Sequence, residues 1–327
     1  MSIILGIEST AHTFGVGIVK NGKVLSNIKK TYTTDKGGII PIEAAKHHCD
    51  NKNELYFEAL DSAKISEDKI DAIAFSQGPG LAPCLIEGMK FAKELSKKLN
   101  KPLVPVNHCV AHLEIGKITG AKDPVMLYTS GANTQIIAYE AKKYRIFGET
   151  LDIGVGNFID NFARYADIGF PGGPTIQKLA LEGKEYIELP YTVKGMDIAL
   201  SGILTNLKQK LDKGASINDL SYSMQETVFA MLVETAERAL AHTKKTELLL
   251  GGGVACNSRL QEMCKIMCKE RGAKFFCPPA SLLTDNGAMI AYLGEIMFKS
   301  GIKEKDLNKV DILPRQRTDE VNVSWRG

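Results

Sequence analysis

No stretch of this 327-residue sequence approaches the roughly 18 consecutive apolar residues that a membrane-crossing helix needs. Mean hydropathy is −0.09. The opening Met-Ser-Ile-Ile-Leu-Gly-Ile-Glu has no basic leader, and Glu8 interrupts its apolar run, so a cytoplasmic protein without a secretory signal or membrane contact is expected. Charge of one sign is scarce too. Lys and Arg number 41 against 38 Asp and Glu, a net +3 that permits an acidic partner without demanding one. None of the seven cysteines (49, 84, 109, 256, 264, 268, 277) forms a C-x-x-C pair. That odd, scattered set speaks against a disulfide framework and a zinc knuckle, and for reduced, mostly buried thiols. Low-complexity segments are missing, and 44% hydrophobic with 24% charged residues is the mixture of a folded chain. There is no Gly-Lys-Ser/Thr phosphate loop and no G-x-G-x-x-G after the first strand, which argues against Walker-type and Rossmann nucleotide sites.

What is present is an α/β plan that occurs twice. Ile3–Glu8 reads as a buried strand, followed by the small-residue turn Ser9-Thr10-Ala11-His12-Thr13. Strands 14–20 and 23–29 flank the hairpin signal Asn21-Gly22. A helical pattern covers 41–64, opened by Pro41. Strand 70–76 then breaks at Gly78-Pro79-Gly80 before a helix to about Leu99. In the second half, strand 125–129 leads into Ser130-Gly131-Ala132-Asn133-Thr134, and strands 135–139 and 144–149 follow. Leu248–Leu250 breaks at Gly251-Gly252-Gly253 and enters a helix near Asn257. An offset of 121 superposes Ser9 on Ser130, Ala11 on Ala132 and Thr13 on Thr134. The expected division is a first lobe over 1–105 and a second over 106–314. The second carries a helical insertion at about 156–242, its last helix free to pack back on the first lobe, and a polar tail follows over 315–327. Two facing lobes make a cleft, and small-residue turns expose backbone N–H groups suited to phosphate oxygens. Gly251-Gly252-Gly253-Val254-Ala255-Cys256-Asn257 is the best such loop, although a triple glycine also serves simply to turn a chain.

Asn107-His108-Cys109-Val110-Ala111-His112 is the sharpest local signal. Asn107 suits a helix N-cap, and His108 and His112 then lie one turn apart on one face, where two imidazoles can share a divalent ion. In the zincin pattern H-E-x-x-H a glutamate serves as base; here Cys109 takes that position, so a peptidase mechanism lacks its base. Oxygen ligands have to come from elsewhere. Asp285, in Thr284-Asp285-Asn286-Gly287, and Tyr128, at the end of a strand, are candidates. Taken alone, Asp285 reads as a helix N-cap and Tyr128 as a half-buried strand residue. No catalytic base is assigned, and Glu8 is only a cleft-side candidate.

The chain resembles, nearly end to end, the threonylcarbamoyladenosine-forming tRNA enzymes once classed as O-sialoglycoprotein endopeptidases, or glycoproteases. Seven ordered stretches carry the resemblance: 6–11, 75–80, 107–112, 130–135, 170–174, 252–257 and 284–290. The ending Arg317-Thr318-Asp319-Glu320-Val321 to Trp325 is similar to the archaeal and eukaryotic branch, whose members work in the KEOPS complex. The resemblance implies a duplicated two-lobe actin-like ATPase (ASKHA) fold. It implies one divalent metal, Fe(2+) or Zn(2+), on His108, His112 and Asp285, with Tyr128 joining. It also places threonylcarbamoyl-AMP or an adenine nucleotide against Tyr128, Thr129, Ser130, Gly131, Ala132, Asp160, Gly173, Gln177 and Asn257. The implied reaction is metal-dependent transfer of the threonylcarbamoyl group to the N6 amine of the adenosine 3′ to the anticodon, in tRNAs reading codons that begin with A. Implied partners are tRNA and other KEOPS subunits, including a small protein kinase that some relatives carry fused. The alternatives are a metallopeptidase, a small-molecule kinase of the same fold, and a nucleotide-binding metalloprotein acting as a scaffold.

Overall fold

The computed structural model describes residues 2–34 and 38–326. Met1 and Gly327, where the expected first lobe begins and the expected tail ends, lie outside the described residues. Contacts divide the chain into two compact units: Met1–Thr33, Ile39–Ile118 and Pro279–Gly327 form the first, Thr34–Gly38 and Thr119–Pro278 the second.

The first unit begins with strands β1 (Ile3–Glu8), β2 (Thr13–Lys20) and β3 (Lys23–Thr31), then helix α1 (Pro41–Ala63). It continues through β4 (Ala72–Gly78), α2 (Ala82–Leu99), β5 (Leu103–Asn107) and α3 (His108–Ile115). Its sheet has the order β3-β2-β1-β4-β5. β1 is antiparallel to β2 and parallel to β4, and β4 is parallel to β5. β1 and β4 read as near-continuous apolar runs because both faces of the sheet are covered. Asn21 and Gly22 both take positive φ (50° and 74°), as a two-residue hairpin turn demands. Leu5, Ile7, Phe14, Val16, Tyr56, Phe75 and Phe91 are buried together in the core of this unit.

The second unit repeats the plan. β6 (Val125–Thr129), β7 (Thr134–Glu140) and β8 (Lys143–Glu149) come first. Next are α4 (Val155–Tyr165), α5 (Gly173–Glu182), the two-residue strands β9 (Val193–Lys194) and β10 (Asp197–Ile198), α6 (Ser201–Asp212) and α7 (Ile217–Thr243). β11 (Glu247–Gly251), α8 (Ser258–Glu270) and β12 (Lys274–Phe276) complete it. The sheet order β12-β11-β6-β7-β8 is that of the first unit, with β6 parallel to β11 and antiparallel to β7. β2 and β7 begin at Thr13 and Thr134, the spacing of 121 read from the turns.

The chain then returns to the first unit through α9 (Ala280–Leu283) and α10 (Gly287–Lys299). The split by contact falls after Ile118, later than the 105/106 boundary read from the sequence. β5 passes directly into α3, so that helix stays with the sheet it leaves. α10 packs on β1, β2 and β4 of the first sheet. A Cβ at Gly6 would stand 2.2 Å from the Ala291 nitrogen, and one at Gly17 2.2 Å from the Ala288 nitrogen. Backbone lies on backbone there, which only glycine permits. The segment after α10 is tied down: Leu103 and Glu304 exchange backbone bonds of 2.9 and 2.8 Å, and the Leu313 N–H donates to the Gln77 carbonyl at 2.8 Å. Arg326 reaches the fully buried Glu114 of α3 at 3.2 Å. All seven cysteines are free, and Cys84, Cys109, Cys264 and Cys268 are buried. Among the described residues no helix is long and apolar enough to cross a membrane.

Candidate functional site

Within the first unit, β5 ends on Asn107, whose side-chain oxygen accepts the Val110 N–H at 3.1 Å. This N-cap starts α3 at once, so His108 and His112 occupy successive turns and both are buried. Their rings lie 4.8 Å apart between centroids, edge to face. Asp285 arrives from the loop before α10. Asn286, not Asp285, caps α10: its side-chain oxygen accepts the Met289 N–H at 2.9 Å. Relieved of capping, the Asp285 carboxylate turns to the histidines, with Oδ1 3.4 Å from His108 Nε2 and 3.3 Å from His112 Nε2. Lys29 of β3 supports the loop from behind by donating to the Asp285 carbonyl at 3.2 Å and to the Thr284 hydroxyl.

Two imidazoles and one carboxylate therefore offer ligand atoms within 4.8 Å of one another. Two Nε2 atoms and one carboxylate oxygen are the donors of three-ligand catalytic metal sites, which keep a further position open. The residues fit a divalent ion of the iron or zinc kind. Burial opposes charge on His108, yet the carboxylates of Glu8 and Asp285 outweigh it and raise the ring to about 9. His112 is lowered, chiefly by burial. Asp285 is held well below the usual carboxylate range, because the two histidines more than offset its burial.

Glu8, only a cleft-side candidate in the sequence, is enclosed within the first unit. It is fully buried and bonded on both oxygens: the Thr10 N–H and hydroxyl donate to Oε1 at 2.7 and 2.5 Å, and His108 Nδ1 lies 2.9 Å from Oε2. A run of apolar residues ending in Glu gave no sign of this, since the partner lies a hundred residues away.

The remaining candidates belong to the second unit. Tyr128, on β6, is fully buried. Thr129 donates its hydroxyl to the Gly251 carbonyl at 3.2 Å. In the following turn the Ser130 hydroxyl donates to the Asn133 carbonyl at 3.0 Å, while Gly131 and Ala132 are exposed. Gly252 (φ 88°) presses on this turn, and a Cβ there would stand 2.4 Å from the Thr129 carbonyl oxygen. Asp160 accepts the Gly172 N–H at 2.8 Å and so holds the start of α5, where Gly173 faces open space. Gln177 donates to Ser258 at 3.1 Å. Asn257 is the N-cap of α8, accepting the Arg259 N–H at 2.9 Å, and its amide also donates to Gln225. These contacts bring the 129–132 turn beside the Gly252 loop and link α5 with α8.

Two like-ordered five-stranded sheets, each opening with an antiparallel trio and a small-residue turn, define an actin-like ATPase fold, here with a His-His-Asp centre. A solved structure of HypF from Thermococcus kodakarensis has a similar fold (TM-score 0.66, 16% identity, 94% of this chain and 49% of that one). So does the activator of the 2-hydroxyisocaproyl-CoA dehydratase from Clostridium difficile, solved with bound ADPNP (TM-score 0.55, 10% identity, 91% of this chain and 97% of that one). The family model described as TsaD, tRNA N6-adenosine threonylcarbamoyltransferase, matches residues 23–292. A Thermococcus kodakarensis protein named tRNA N6-adenosine threonylcarbamoyltransferase is 57% identical over 324 residues, 99% of each chain. A Methanocaldococcus jannaschii protein described as a "probable bifunctional tRNA threonylcarbamoyladenosine biosynthesis protein" is 53% identical over 99% of this chain, which spans 60% of that protein's length. The chain belongs to the tRNA N6-adenosine threonylcarbamoyltransferase family.

Proposed function

We propose that this protein transfers the threonylcarbamoyl group of threonylcarbamoyl-AMP to the N6 amine of the adenosine 3′ to the anticodon, in tRNAs that read codons beginning with A. The bond from N6 to the carbamoyl carbon forms, the bond from that carbon to the phosphate oxygen breaks, N6 loses a proton, and AMP leaves. The observation that carries the reading is the convergence of His108, His112 and Asp285 in a chain of this family. His108, His112 and Asp285 would hold a divalent ion, Fe(2+) or Zn(2+), which would supply Lewis acidity for the carbonyl under attack. The protein's own part is positional: a buried, bonded shell holds the three ligand atoms in place before substrate arrives.

The adenylate is proposed to lie against Tyr128, Thr129, Ser130, Gly131, Ala132, Asp160, Gly173, Gln177 and Asn257. Support comes from the exposed turn at Gly131 and Ala132 and the open space at Gly173, at the first turn of α5, where N–H groups favour anions. Cys109, in the place where a peptidase would carry its base, is buried and does not favour peptide hydrolysis. A cytoplasmic setting and assembly with KEOPS subunits, among them a small kinase, complete the proposal, in keeping with the bifunctional description of the longer relative.

The test is purified protein with tRNA and threonylcarbamoyl-AMP, with and without a chelator. Modified tRNA and AMP are expected, with loss on chelation, recovery on adding metal back, and loss in the His108→Ala/His112→Ala double variant. Elemental analysis should find one metal per chain in the parent and none in the double variant. Product formed at full rate by the stripped protein overturns the reading.

A further inference from the structure

We propose that Glu8 is a positioning residue for the metal centre: it keeps a hydrogen on His108 Nδ1, so that Nε2, the nitrogen beside Asp285, is the one left to give up its proton and bind the ion. The inference rests on the metal reading above and deepens it.

Three contacts leave little freedom. The Thr10 backbone N–H, a donor that cannot be reversed, is 2.7 Å from Glu8 Oε1, and the Thr10 hydroxyl is 2.5 Å from the same atom. Oε2 is then left for His108 Nδ1 at 2.9 Å. Glu8 is fully buried, so water does not compete for either oxygen. A carboxylate only accepts, so Nδ1 must carry the hydrogen, and the other ring nitrogen is the one 3.4 Å from Asp285 Oδ1. A carboxylate behind a ligating histidine also raises the ring's basicity as a ligand. Among the described residues no other contact turns His108 in this way: Thr10 Oγ1, 3.3 Å from Nδ1, is already committed to Glu8.

This arrangement gives the glutamine variant an unusual signature. In Glu8→Gln the amide oxygen must stay at the Thr10 N–H, because an NH2 group there would face a donor. The NH2 then points at His108 Nδ1 and donates to it. The ring is driven to the opposite tautomer, with a hydrogen on Nε2 where the lone pair is needed. Glu8→Ala lacks that opposing donor, and a water molecule in the vacated space can still accept from Nδ1. The isosteric variant should therefore bind metal worse than the truncation, the reverse of what a space-filling role predicts.

The experiment titrates chelator-treated full-length protein with Co(2+), reading affinity and the visible ligand-field bands, for the parent, Glu8→Gln and Glu8→Ala. Far-ultraviolet circular dichroism and thermal melts of the stripped proteins check folding. Expected is a loss of affinity of roughly 10- to 100-fold, the usual range for a lost partner behind a metal ligand, larger for Glu8→Gln than for Glu8→Ala and with altered bands. Parent-like affinity and bands in Glu8→Gln, or a weaker Glu8→Ala, overturn the role of Glu8 while leaving the metal reading intact. A parent protein that binds no Co(2+) overturns both. A readout without any variant is ring-nitrogen NMR of the zinc-loaded parent with labelled histidine: a hydrogen on His108 Nδ1 supports the inference, and a bare Nδ1 overturns it.

Discussion

His48 shows how a single buried ring sets a response to pH. It is fully buried on α1, with Phe14 and His47 rings at 5.4 and 5.8 Å. Burial first, and then His47, push its pKa down to about 4 from 6.5. Between those two values the unfolded chain binds a proton that the folded one refuses, so stability falls as pH drops from about 6.5 through about 4. A shift of that size corresponds to about 3 kcal/mol lost below pH 4. Denaturant melts of the parent and His48→Gln across pH 7 to 4 should show a shallower acid loss in the variant. Equal slopes would sink the claim. At the His-His-Asp cluster, the His108 and His112 spacing and the Asn107 cap were legible, because both are set within one turn of chain. The partnership of Glu8 with His108 was not, because nothing local separates an exposed carboxylate from a buried one.

Among the elements, α10 is the most tightly specified. Gly6, Gly15 and Gly17 form a bare strip on β1 and β2 against which its first turns lie, and this seating delivers the Asp285 loop. Gly17→Ala should cost about 1–3 kcal/mol through overpacking and weaken Co(2+) binding as well. Gly202→Ala, in α6 with no atom within 4 Å of the added methyl, should be neutral or slightly stabilising. A Gly17→Ala protein with parent stability and metal affinity would refute the seating argument. Asn257→Ala removes the cap of α8 and should cost about 1 kcal/mol besides weakening AMP binding in calorimetry. Unchanged AMP affinity at lowered stability would leave Asn257 a cap and nothing more. In the sequence these glycines carried no sign of a close approach, and Asp285 read as the helix cap, a role that Asn286 takes instead. Both questions turn on neighbours at least 173 residues distant.

Taken whole, the molecule carries a net charge of only +3. Binding of tRNA to the isolated chain should be weak and should fall as salt rises, as counterion release requires. Tight binding unaffected by salt from 50 to 200 mM would contradict this. The duplicated sheet order was legible, because strand periodicity, the Asn21-Gly22 hairpin and two small-residue turns at one offset are local signals that recur. The unit boundary at Ile118 was not, since it depends on packing between distant segments, whereas a return of the last helix to the first lobe was already among the expectations.

That return has a consequence during synthesis. The first unit is threaded from both ends of the chain, and His112 precedes Asp285 by 173 residues. At about 5–20 residues per second, a ribosome exposes the two imidazoles roughly 10–30 s before their carboxylate companion. Over that interval the glycine track lacks the helix that later lies on it, and an ion would meet only two of the three proposed ligands.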